Sequence, residues 1–85
     1  MNYHTNRTIL IIDGNEINLP PRTSPRVKSG LKNLVMNAPY GVSFDKLFHI
    51  NDSRFKESYL RVMRDISFLN PGRFIIDKDK VYFNG

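Results

Sequence analysis

Apolar residues recur with two different periods along this chain, and each change of period marks an element. Residues 8–19 read TILIIDGNEINL, two short apolar runs around a polar centre containing glycine, the pattern of a β-hairpin. Two registers are available. A loop at Gly14-Asn15 would set Ile12 against Ile17 and Leu10 against Leu19, with Ile11 opposite Asn18. A loop at Asp13-Gly14 would set Ile12 against Asn15 and Thr8 against Leu19. Apolar cross-strand pairs stabilise a hairpin, which favours the first.

Pro20-Pro21 ends the second strand, because proline cannot donate to a ladder. The period then lengthens. Ser24-Pro25 supplies an N-cap and a first-turn proline, and Val27, Leu31, Leu34 and Val35 form one apolar stripe, which predicts a helix over 25–37. Gly30 lies inside it, at a cost of about 1 kcal/mol relative to alanine, and suits a close helix contact. Ala38-Pro39 stops it, and residues 40–42 read as a connector. Ser43 is the next N-cap, with Val42 and Leu47 as a hydrophobic staple, so a second helix is expected over 44–50 on Phe44, Leu47 and Phe48. Asn51 is expected to cap a third, with Ile50 and Phe55 as a staple. It runs to Leu69, before Asn70-Pro71-Gly72. Its apolar stripe is Phe55, Tyr59, Val62, Ile66 and Leu69, with Met63 beside it. The final alternation predicts a hairpin with strands near 73–76 and 80–83. Its tip, Asp77-Lys78-Asp79, lacks glycine and is expected to be longer than two residues.

The order is hairpin, three helices, hairpin. It predicts an α+β fold, a small winged helix-turn-helix with the last hairpin as wing, in one domain over 8–85 after a loose arm over 1–7. In Gly41-Val42-Ser43 with Leu47, then Val62-Met63-Arg64, then the hairpin bearing Tyr82, the chain resembles the C-terminal effector domain of two-component response regulators. The order fits a minimal winged helix of another lineage equally. Either resemblance implies DNA binding, with the third helix in the major groove.

Composition narrows the chemistry. The chain has 85 residues with 40% hydrophobic and 25% charged, which suits one small globular domain. No apolar run approaches the ~20 residues needed to cross a membrane, and MNYHTNRT lacks the layout of a signal peptide, so an intracellular protein is expected. There is no cysteine, and the two histidines, His4 and His49, lack metal or catalytic spacing. Asp77-Lys78-Asp79 lacks the glycine and distal glutamate of a calcium loop, and no glycine-rich phosphate loop occurs. Neither cofactor, metal nor enzymatic activity is expected. The many Asn and Ile residues suggest AT-rich coding, as in phage or mobile elements.

Thirteen Lys and Arg against 8 acids give a formal charge of +5. Such a balance suits a nucleic-acid partner when the cations gather on one face. Opposite the apolar stripe of the third helix lie Arg54, Glu57, Ser58, Arg61 and Arg64. Arginine can bridge guanine O6 and N7 or clamp phosphate, and glutamate can accept from cytosine N4. The same face also reads as an ordinary solvated one with a Glu57–Arg61 pair. Arg73, Lys78 and Lys80 on the wing are candidate phosphate contacts, as are Ser43 and Lys46 at the second helix. Arg22, Arg26, Lys28 and Lys32 either extend that track or form the wet side of the first helix. Phe44, Phe48, Phe55, Phe74, Phe83 and Tyr59 are assigned to the core. The leading expectation is a transcription regulator on double-stranded DNA, dimeric through the N-terminal hairpin or first helix. The alternative is a module that docks on RNA polymerase or another regulatory protein, which an apolar patch around Leu60 and Phe68 would favour.

Overall fold

The computed structural model describes residues 8–84, so the expected arm, with Tyr3 and His4, lies outside the described residues. The first hairpin is formed by β1 (Thr8–Ile12) and β2 (Asn15–Leu19). Its loop is Asp13-Gly14, and Ile12 pairs with Asn15, Leu10 with Ile17 and Thr8 with Leu19, which corrects the predicted register. The turn decides the matter. A type I′ loop, whose twist matches the strands, has positive φ at both positions; Asp13 has φ 50° and Gly14 φ 81°. Asp-Gly accepts that conformation readily, and cross-strand apolar pairing yields to it.

Ser24 caps α1 (Pro25–Met36) by accepting from the Val27 N–H at 3.3 Å, as expected. Val27, Leu31, Leu34 and Val35 are buried, and Gly30 makes the close contact its position suggested. A Cβ there would lie 2.7 Å from the Leu47 carbonyl oxygen and 2.8 Å from the Phe48 ring.

Two findings depart from the sequence reading between α1 and the third helix. Val42–Ser43 form a short strand, β3, on the far side of the last hairpin. α2 is only Phe44–Leu47. It ends where His49 turns left-handed at φ 54°, with the His49 N–H bonded to the Lys46 carbonyl and the Ile50 N–H to that of Asp45 at 2.8 Å. This is a Schellman closure with histidine where glycine is usual.

A single 3-10 turn, Ser53–Phe55, then leads into α3 (Lys56–Leu69). The cap of this turn is Asp52, whose carboxylate accepts from the Arg54 N–H at 3.0 Å, and not Asn51, and α3 follows Phe55 without a side-chain cap of its own. The tighter winding changes the phase of the stripe, and Phe55 stands 55% exposed instead of in the core. Met63 and Ile66 are fully buried at the centre of the helix's inner face, flanked by Tyr59, Leu60 and Val62. Tyr59 stacks on Phe48, with ring centroids 5.3 Å apart.

β4 (Phe74–Asp77) and β5 (Lys80–Phe83) form the last hairpin. Asp77 pairs with Lys80, so the loop is the two residues Lys78-Asp79 and not a longer tip. Lys78 supplies the left-handed position at φ 54° without glycine. Across the described residues the fold is α+β, with a two-stranded sheet β1-β2, a three-stranded sheet β3-β5-β4 and three α-helices. One core joins them, from Ile17 and Leu19 through Leu31 and Leu34 to Phe48, Ile66 and Val81.

Asn70, just past α3, is the one buried polar residue among those described. Its Oδ1 accepts from the Asn18 N–H at 2.8 Å, and its Nδ2 donates to the Asn18 carbonyl at 2.9 Å and the Ile66 carbonyl at 2.7 Å. The side-chain amide thus pairs with Asn18 of β2 much as a neighbouring strand would, and satisfies both its backbone groups.

Candidate nucleic-acid interface

On α3, the residues that follow one another opposite Met63 and Ile66 are Glu57, Arg61, Arg64 and Phe68. At about 100° per residue they share one outer face. All four are exposed, Phe68 at 84%. Among the described residues neither Arg61 nor Arg64 enters an ion pair, and no Glu57–Arg61 bridge forms. These two guanidiniums therefore remain available to an outside acceptor. Ser58 lies to one side, in a shallow groove formed with Pro20, Pro21 and Arg22 of the β2–α1 loop.

Other candidates are placed differently. Arg54 stands on the 3-10 turn and is held by its neighbour: Nη2 reaches Asp52 Oδ2 at 2.7 Å and Nε reaches the same oxygen at 3.0 Å. The arginine side chain, and then the Arg54 backbone N–H, hold the Asp52 carboxyl below its ordinary range, while the carboxylate raises Arg54. Arg73 is half-buried at the base of the hairpin. Its guanidinium lies 5.1 Å from the Phe83 ring centroid, and Nη2 donates to Asn15 Oδ1 at 3.2 Å. It joins the two sheets and does not share the face of Arg61. Its Nε is buried without a partner.

Ser43 belongs to β3, paired with Lys80, and its hydroxyl caps nothing. The Phe44 N–H that begins α2 instead donates to the Asp79 carbonyl at 2.6 Å. That corrects the expected side-chain cap, and it also removes an N–H that a phosphate would need. Lys46, Lys78 and Lys80 are exposed and outside the ion pairs of the described residues. Lys80 nonetheless faces Asp77 across the hairpin.

Sequence reasoning missed Lys56. Its ammonium lies 3.7 Å from Asp45 and 3.6 Å from Asp79, linking the start of α3 to α2 and to the hairpin tip. Both partners are distant along the chain, so no local pattern announces the contact. The positive charge is also distributed unexpectedly. Arg22, Arg26, Lys28 and Lys32 occur with no acid anywhere between Glu16 and Asp45, which makes α1 and the loop before it the most uniformly basic stretch. Arg26 reaches α3 through a long 3.4 Å contact from Nη1 to the Tyr59 hydroxyl.

Among the described residues no group of three or more His, Cys, Asp or Glu could hold a metal, and no helix is long and apolar enough to cross a membrane. No protein-family description, curated protein or solved structure matches the chain.

Proposed function

We propose that this chain is a winged-helix DNA-binding regulator, with α3 in the major groove and the β4–β5 hairpin as wing along the backbone. The observation that carries the reading is the order α1, β3, α2, α3, β4, β5, in which β3 joins the hairpin through β5 while the Arg61–Arg64 side of α3 stays open. Arg61 and Arg64 are the base- or phosphate-reading residues, with Glu57 and Ser58 beside them. Lys46, Lys78 and Lys80 are the phosphate contacts. Arg73 leaves the contact set, since it is committed to the sheet junction, while Arg54, exposed but paired with Asp52, would have to exchange that partner for a phosphate.

The test is a titration on duplex DNA at several salt concentrations. Five contacts correspond to a log–log slope of about −4 to −5. Arg61→Ala is expected to weaken specific binding by ~1–3 kcal/mol, whereas Lys78→Ala lowers affinity uniformly across sequences. A slope near zero would remove the proposal.

A second reading, a module docking on RNA polymerase or another regulatory protein, is favoured by the surface apolar residues. Phe68 is 84% exposed, while Leu60, the other residue of the expected patch, packs against the core. Retention of a protein partner without DNA retardation at low salt would decide for it.

A further inference from the structure

The two edges of the first sheet are treated differently. At the β2 edge Asn70 takes both backbone groups of Asn18, and β2 is the strand that lies against α3. Among the described residues the β1 edge is open. Because Ile12 and Asn15 close a two-residue turn, hydrogen-bonded pairs fall at Ile12, Leu10 and Thr8, and the N–H and C=O groups of Ile9 and Ile11 point away from β2. Neither has a backbone partner among the described residues. The strand, TILII, carries none of the lysines or prolines that ordinarily blunt an edge, and Ile9 and Ile11 are 55% and 66% exposed.

Beside this edge runs a groove of about 550 Å³. Its far wall is one stripe of α1, Lys28, Lys32 and Met36, four residues apart each time. Among the described residues neither lysine has an acidic partner, and Asp13, at the turn, is the only acid lining the groove. A strand added to β1 would place alternate side chains on opposite faces. Those opposite Ile9 and Ile11 would lie on the outer face, against two exposed isoleucines. Those opposite Leu10 and Ile12 would enter the groove and meet the lysines.

We infer that the β1 edge and the Lys28–Lys32 wall of α1 form a docking site for an extended segment of a partner protein that alternates apolar and acidic residues, bound as an added β-strand. A second copy of this chain fits less well. Its own β1 would offer Thr8, Leu10 and Ile12 to the groove, none acidic, and would bring like-charged lysines to the same place. The inference is independent of DNA binding, since it uses neither Arg61, Arg64 nor the wing.

The probe is a fluorescein-labelled acetyl-Val-Glu-Val-Glu-Val-Glu peptide titrated into the full chain by anisotropy, with Val-Lys-Val-Lys-Val-Lys and Val-Val-Val-Glu-Glu-Glu as controls. Saturable binding of the alternating acidic peptide alone is expected, with amide shifts and new exchange protection at Ile9 and Ile11. The K28E/K32E double variant, which reverses the charge of the groove's far wall, should weaken it by about tenfold or more. Arg61→Ala should leave it unchanged. The inference is overturned by no saturation up to about 1 mM peptide, a level at which even weak specific contacts register. Equal binding of the lysine peptide or undiminished binding by K28E/K32E would also overturn it. So would a dimer in sedimentation that Ile11→Lys dissolves, which would assign the edge to a second copy.

Discussion

Replacing Asn70 by alanine tests the link between the first hairpin and α3. The amide serves three backbone groups: the Asn18 N–H at 2.8 Å, the Asn18 carbonyl at 2.9 Å and the Ile66 carbonyl at 2.7 Å. Ile66 keeps a bond from the Asn70 N–H at 3.1 Å, so truncation strands two groups, both on Asn18. A buried unsatisfied group costs ~1–3 kcal/mol. Asn18 is only half-buried, so the low end applies to each and the total comes to about 2–3 kcal/mol. For a domain of this size that lowers Tm by roughly 10–20 °C. The assay is urea unfolding followed by circular dichroism, with an unchanged m-value as the condition that only stability moved. Asn70→Asp sharpens the test. Its second oxygen would face two carbonyl oxygens, so at neutral pH this variant should be less stable than Asn70→Ala. Burial and those carbonyls raise the folded-state pKa of the new carboxyl. The deficit should therefore be smallest below about pH 4, where folded and unfolded forms are both protonated, and grow as pH rises through the raised value. An Asn70→Ala variant within about 0.5 kcal/mol of the parent, the level of an ordinary surface change, would refute the strand-like role of the amide.

Two further outcomes are expected. Gly30→Ala should destabilise the protein by about 1–3 kcal/mol in thermal unfolding, against the ~1 kcal/mol that helix propensity alone would gain, because the added methyl meets the Leu47 carbonyl, which cannot rotate aside. A carboxyl titration by NMR should place Asp52 below ordinary aspartate, and Arg54→Ala should return it toward about 4. Since the folded-state pKa is lowered, the stabilisation from this pair is present above the unfolded value and fades as pH falls through the folded one.

The helices were legible because each announces itself locally. Ser24-Pro25 starts α1, and the stripe from Val27 to Val35 fixes its buried face. The misreadings share a cause: a backbone requirement overrode side-chain pattern. Asp13-Gly14 fixed the hairpin register through two positive φ angles, and His49 ended α2 in a conformation its side chain does not advertise. The 3-10 turn rotated Phe55 out of the core. β3 is too short to show any period and exists only because β5 lies beside it. For the candidate interface, helical spacing alone placed Arg61 and Arg64 outward, while the diversion of Arg54 by Asp52 and of Arg73 by Asn15 depends on contacts that spacing does not encode.

Asp79 ties the tip of the last hairpin to two helices, through its carbonyl to the Phe44 N–H and through its carboxylate to Lys56. Both contacts hold the hairpin tip against the helices it packs on. A partner that touched the hairpin and α3 together would find them already joined at this corner, so less freedom would be lost on contact.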